Sequence, residues 1–228
     1  VAAAHFPSEG SALERYAAVF NAVEINSSFY RPHQPQTYAR WAESVPDDFR
    51  FAVKAPRSMT HERRLLDCEG PMQRFADEAG TLGEKLGCVL VQLPPSLQFD
   101  QDAVQAFFTL ARRHFSGMIV CEARHGSWFG AAATAQMRDA NVARVIADPP
   151  AGQPGPYVPT IAATYARLHG SPRIYYSSYD DAYLDSVASH LAASRAAGHE
   201  AWCIFDNTAS GAAVPNAAAL RQRLASAC

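Results

Sequence analysis

The chain is short of the residues that staple small or secreted folds. Only five of its 228 residues are cysteine, an odd number with no CxxC pair, which leaves neither a disulfide framework nor a zinc spacing. Cys88, Cys121 and Cys203 fall in apolar, strand-like runs and read as small core residues. Such usage points to a reducing compartment, the cytoplasm. No apolar run approaches the roughly 18 residues of a membrane span, and Val1–His5 has neither the basic start nor the apolar core of a signal peptide. Clustered basic charge is also missing. Twenty Lys and Arg against 22 Asp and Glu give a net charge of −2, and the longest basic stretch is His61-Glu62-Arg63-Arg64. A protein that coats duplex nucleic acid needs a basic stripe, so this distribution argues against one. The catalytic signatures with fixed spacing are absent too: no Gly-rich phosphate loop follows a strand, and neither a G-x-S-x-G elbow nor a His-x-x-x-His pair occurs.

What is present is an ordinary globular composition, 48% apolar and 18% charged, which excludes disorder and coiled coil. A chain this long buries about 70% of its unfolded surface, enough for a core without metal or disulfide. Seven short apolar runs read as buried strands: 22–26, 50–54, 88–92, 118–122, 144–148, 164–169 and 201–206. Helical stretches lie at 11–20, 35–44, 72–86, 102–115, 132–140, 180–197 and 216–225, the first opened by the capping box Ser11-Ala12-Leu13-Glu14. Strand and helix alternate as repeated βαβ units require. The prolines and glycines of 149–159 exclude a helix there, and the stretch reads as a loop over one end of the sheet. The expectation is a single α/β domain over 1–228, either doubly wound or a (β/α)8 barrel. The helix at Ser11 has no strand before it, so an eight-strand plan is one strand short at its start, with 1–6 the remnant of a first loop.

Polar residues gather where these runs end. In order they are Glu24 and Asn26, Lys54, Gln92, Glu122 and Arg124, Asp148, Arg167 and His169, then Asp206 and Asn207. The carboxyl ends of strands carry the active site in barrels and open α/β sheets alike. Side chains alternate along a strand, so Glu24 and Asn26 share a face, as do Glu122 and Arg124, and Tyr165, Arg167 and His169. In a barrel those faces point inward. Each has a plainer reading as well. Glu122 and Arg124 suit a structural ion pair, Asp148 suits a strand end before Pro149-Pro150, Asn26 and Asn207 suit loop bonding, and His61 suits a loop or capping role.

With those strand ends in view, the chain resembles the DUF72, or YecE-like, family. The carrying segments are 20–30 (FNAVEINSSFY), 46–56 (PDDFRFAVKAP), 91–95 (VQLPP), 121–128 (CEARHGSW), 166–170 (ARLHG), 205–208 (FDNT) and 216–217 (NA). The resemblance implies a TIM-barrel-like fold and brings no activity with it. The family opens with a short strand carrying a Gly-Thr-Ser/Ala-Gly-Trp motif, and this sequence starts after that point.

The residues themselves point to an enzyme acting on a small polar or anionic molecule. Lys54, Arg124 and Arg167 would hold its charge. Glu122, Asp148 and His169 are the proton-transfer candidates. Glu24, Asn26, Gln92, Asp206 and Asn207 would complete the binding surface, with Trp128 and Tyr175 walling the mouth. Glu122, Asp148, His169 and Asp206 are donors a hard cation accepts, but no spacing marks them as a set, and no metal or cofactor is assigned. The alternatives are phosphodiester chemistry on nucleic acid and a noncatalytic ligand-binding protein.

Overall fold

The computed structural model describes residues 5–226. Most of the expected first-loop remnant, and Cys228, lie outside that range. Within it Phe6 stacks on Tyr16, with ring centroids 5.9 Å apart. Among the described residues eight short strands form: β1 (Ala22–Ile25), β2 (Arg50–Lys54), β3 (Leu86–Gln92), β4 (Met118–Glu122), β5 (Val142–Arg144), β6 (Ile146–Asp148), β7 (Thr164–Leu168) and β8 (Ala201–Phe205). All pairings are parallel and run in chain order, β1 to β5 in one ladder and β6 to β8 in a second. β5 and β6 are one expected strand broken at Val145, whose N–H donates to Cys121 O at 3.0 Å. The α/β class and seven-run strand order match the sequence reading.

The connections are helical: α1 (Ala12–Ala17), α2 (Ser27–Tyr30), α3 (Pro35–Glu43), α4 (Glu69–Ala79), α5 (Gln101–His114), α6 (Ala131–Asp139), α7 (Asp181–Ala196) and α8 (Ala213–Ser226). The capping box of α1 forms: Ser11 Oγ accepts from Glu14 N at 3.3 Å and Glu14 Oε2 from Ser11 N at 2.7 Å. The stretch 72–86 is not one helix, because α4 ends at Ala79 and a 3-10 turn (Gly80–Lys85) carries Gly83 at φ 58°. No helix among the described residues is long and apolar enough to cross a membrane.

The sheet is curled. β1 and β7 are five strand spacings apart, about 24 Å if flat, yet Glu24 of β1 bonds Tyr165 and Arg167 of β7 at 2.7–3.0 Å. The strands therefore wrap around a common interior, as in a TIM-barrel-like plan. No ladder joins β1 to β8 among the described residues, and that seam is the place such a plan gives its first strand. Alternation sorts the side chains. Val23, Phe51, Val53, Val89, Ile119 and Cys121 face outward under α3 to α6, while Leu168 and Phe205 pack beneath α7. Inward lie Ala52, Cys88, Leu90, Val120, Ala143, Val145, Tyr165 and Trp202. These fill the amino-terminal half of the interior.

Trp202 plugs that half, stacked on Tyr165 with centroids 5.9 Å apart. The β2–β3 register skips Gly87, since Phe51 pairs Leu86 and Ala52 pairs Cys88. A β-bulge of this kind turns its extra residue out of the alternation. A Cβ on Gly87 would stand 2.6 Å from Trp202 Cζ2. Gly87→Ala is therefore expected to destabilise the fold by about 1–3 kcal/mol through overpacking, read as a lower urea midpoint. An unchanged midpoint would mean that Trp202 is free to move.

Candidate active site

Above the apolar plug, the inward positions at or just past the carboxyl ends are polar on β1 to β4, β7 and β8, with Ala147 on β6 the exception. Arg167 is the centre, 1% exposed. Its Nε donates to Glu24 Oε2 at 3.0 Å and its Nη2 to Glu24 Oε1 at 2.7 Å, a bidentate grip. Nη1 donates to Glu122 Oε2, and Nη2 also reaches Asp206 Oδ2 at 3.5 Å. Tyr165 adds its hydroxyl to Glu24 Oε2 at 2.8 Å. The other oxygen of Glu122 accepts Arg124 Nε at 2.8 Å, with Arg124 Nη2 at 2.6 Å. Gln92, buried, stands opposite Glu122 in the β3–β4 register.

His169 continues the β7 face beyond the strand. Its Nδ1 lies 3.0 Å from Asp206 Oδ2, while its buried Nε2 has no hydrogen-bond partner among the described residues. Glu122 Oε1 is 3.6 Å from that nitrogen, just past hydrogen-bond length. Tyr175 sits edge-on over the ring at 6.1 Å and is exposed at the mouth. Lys54 projects from the end of β2, 6% exposed, with Nζ 4.3 Å over the Phe29 ring and no ion pair among the described residues.

Charge is tuned by this packing. Burial opposes ionisation of Glu122, but the adjacent His169 ring and the Arg167 and Arg124 guanidinium groups outweigh it and hold its carboxyl well below the usual range. Burial likewise opposes the Arg167 cation and is overcome by Glu24 and Glu122. For His169 burial disfavours the charged ring, yet the bond to Asp206 and the nearby Glu122 carboxylate raise its pKa overall. Lys54 goes the other way. Burial, reinforced by Arg167, lowers it to about 8 against the pull of Glu24 and Glu122.

Several expected residues stand elsewhere. Asp148 is on the outward face of β6, since its neighbour Ala147 is the one packed into the interior. Its carboxylate accepts the Tyr179 hydroxyl at 2.9 Å, which ties the strand end to the segment before α7. The four-donor set for a cation therefore does not assemble, and the centre of the remaining three is filled by Arg167. Trp128 does not wall the mouth: it is fully buried, donating Nε1–H to Leu97 O at 2.9 Å. Asn207 braces α8 through Nδ2 to Asn216 Oδ1 at 2.9 Å. Asn26 occupies the residue before α2 and makes no capping bond with its side chain. Arg167, expected to hold an anion, has its donors engaged by carboxylates.

His61, read from sequence as a loop or capping residue, lies at the mouth. It sits in a π-helical turn (Ser58–Glu62) after β2, its ring edge-on to Phe29 at 4.9 Å. Burial and the cations Arg57, Lys54 and Arg124 lower its pKa. No motif marks it, because the placement depends on how that turn folds back over β2. The 149–159 loop closes on the opposite side, where Gly152, at φ 69°, packs on the Arg124 carbonyl with no room for a Cβ. A cleft of about 410 Å³ adjoins the mouth and shares Phe29 with it; a smaller one, about 130 Å³, lies at the amino ends of the strands, away from these groups.

The family model described as "Protein of unknown function DUF72" matches residues 4–228. The chain belongs to the DUF72 family. It is 36% identical over 84 residues to UPF0759 protein YecE of Escherichia coli (strain K12), covering 37% of this chain and 31% of YecE. Over 125 residues it is 31% identical to UPF0759 protein YunF of Bacillus subtilis (strain 168), 51% of this chain and 44% of YunF. The matched segments span less than half of these curated relatives. Among solved structures, a DUF72 family protein from Thermotoga maritima MSB8 superposes with TM-score 0.81 at 24% identity, covering 96% of this chain and 92% of that one. One from Enterococcus faecalis V583 gives TM-score 0.81 at 22%, covering 94% and 88%. These likenesses carry the fold. They establish no specific function for the DUF72 site.

Two outcomes follow from its electrostatics. Arg167→Met leaves Glu24 buried without its cation and Glu122 with Arg124 alone, and should cost about 3–5 kcal/mol in urea unfolding; a cost near zero would mean that water already screens the network. The raised His169 pKa stabilises the fold fully below the unfolded value of about 6.5, and that stabilisation is lost as pH rises through the folded pKa. Unfolding measured from pH 6 to 9 should accordingly show a downward slope that His169→Gln flattens.

Proposed function

We propose that the mouth of the barrel is an enzyme active site for a small polar or anionic molecule, in which His169 moves a proton while Arg124 and Lys54 hold negative charge. The observation that carries this reading is the state of His169. Asp206 ties down Nδ1 and leaves Nε2 buried, unpartnered and facing Glu122. A base oriented by a third group, with its reactive nitrogen open, is the arrangement acid–base catalysis needs. Arg124 is 23% exposed, and its Nη1 makes no bond among the described residues. It can meet a ligand while Glu122 holds its other edge.

The energetics support the same reading. A buried ionic network gains little stability over apolar packing of equal volume, and the layer beneath it is apolar. Lys54, whose lowered pKa marks a disfavoured charge, is a net cost to folding. Groups held at such cost are candidates for function. The cations are few and enclosed, which favours a small ligand over a phosphate backbone tracked along a groove. Among the described residues four free thiols, Cys68, Cys88, Cys121 and Cys203, fit work in a reducing compartment such as the cytoplasm.

Phosphate, sulfate and small carboxylates titrated against the protein should bind, and Lys54→Met should weaken them about tenfold or more, a loss of about 1.4 kcal/mol. The same substitution should stabilise the fold by about 1–3 kcal/mol at pH 7. The sign follows from the depressed pKa: at neutral pH both states carry the proton and only the folded one is penalised. Between about pH 8 and 10.4 the folded lysine loses it first, so the gain fades. No anion binding, together with unchanged stability, would remove the reading.

A further inference from the structure

We infer that Lys54 is a carbonyl-capturing amine, whose Nζ adds to the carbonyl carbon of a small oxo-acid in the mouth and holds it as an imine. The inference rests on the small-anion reading above and names the ligand class.

Composition first sets this residue apart. Of the twenty Lys and Arg residues only two are Lys, Lys54 and Lys85. Arg serves every other cationic position, including both of the neighbouring ones, Arg124 and Arg167. For gripping a carboxylate Arg is the better residue, planar and bidentate, whereas only Lys can shed its proton and become a nucleophile. Lys85 is structural. Its Nζ donates to Ala42 O at 2.8 Å and Val45 O at 2.7 Å, closing the end of α3. Lys54 has none of this. Its Nζ rests on the Phe29 ring at 4.3 Å, inside the barrel mouth and unpaired with any carboxylate among the described residues.

The neighbours suit the chemistry. Burial together with Arg167 lowers the Lys54 pKa to about 8, so that about a quarter of the amine is neutral at pH 7.5, roughly two hundredfold more than for an ordinary lysine. Desolvation beside another cation is an established route to an activated lysine. Arg124 is close enough to depress the Lys54 pKa as well, and its Nη1, which makes no bond among the described residues, is the donor left to take the carboxylate of an oxo-acid. In the step itself the amine lone pair forms the N–C bond and the carbonyl π pair moves to oxygen. The nitrogen gives up two protons, the oxygen departs as water, and a C=N bond remains. No oxidant or reductant is consumed, and the exchange reverses by adding the water back.

The test uses the whole chain with glyoxylate, the smallest oxo-acid, and sodium cyanoborohydride, whose hydride reduces an imine to a stable amine. Peptide mapping at pH 7.5 should find one carboxymethyl group on Lys54, formed about tenfold or more faster than any on Lys85, and Lys54→Arg should abolish it. Lys54 unlabelled, or labelled no faster than Lys85, overturns the inference. Glycolate, which has the carboxylate but no carbonyl, separates the two readings. If glycolate binds while Lys54 stays unlabelled, the imine falls and the anion site stands. If there is neither glycolate binding nor labelling, both fall. Labelling that glycolate slows supports both.

Discussion

A guanidinium that cannot lose its proton sits in the interior of this barrel, and the rest of the arrangement follows from satisfying it. Arg167 is reached by Glu24 from β1, Glu122 from β4 and Asp206 from the end of β8, so one cation ties together three separated parts of the sheet. Removing water from such a centre makes each attraction stronger and each unmet partner costlier. Glu122 is therefore held ionised, its other oxygen recruits Arg124, and Tyr165 shares a Glu24 oxygen with the guanidinium. His169 is recruited in turn through Asp206.

The layer below makes this possible. Trp202, Tyr165, Leu90 and Val120 fill the amino-terminal half of the interior, which excludes water from one side and leaves the polar groups a single opening. Exposure rises outward across the network, from Arg167 at 1% to Asp206 at 22% and Arg124 at 23%. The buried end is rigid and neutralised; the outer end keeps unspent donors. Lys54 and His169 lie between the two, each with a nitrogen that makes no hydrogen bond to the described residues. Arg167 with its carboxylates thus holds the strands at depth, and the unengaged donors lie toward the rim.

Strand periodicity explains how much of this was legible. A two-residue alternation is a local property, so Glu24, Lys54, Glu122 and Arg167 read directly as one inward face, and the curled sheet then brings them together. The same logic located the His169 face, though His169 lies one residue past β7. The errors fall where local pattern stops. Asp148 ends β6 just after the ladder changes partner at Val145, and it faces Tyr179 instead of the interior. Trp128 lies in a short turn whose folding back onto the barrel has no periodic signature; His61, read as a loop residue, does lie in a turn, and only its position at the mouth was not legible.

The amino-acid sequence alone determined the alternating α/β order, the apolar strand faces, the break at the Pro- and Gly-rich loop and the polar strand ends, because each depends on neighbours within a few residues. Tertiary structure decided which charges meet. Arg124 and Arg167 are alike in sequence, each at a strand's end with an acidic residue nearby in space. Curling the sheet places Arg167 between Glu24 and Glu122, where its donors are spent, and leaves Arg124 partly exposed at the rim. Whether a cation becomes an anchor or stays available to a ligand is a matter of how many carboxylates reach it, and that depends on strands far apart in the chain.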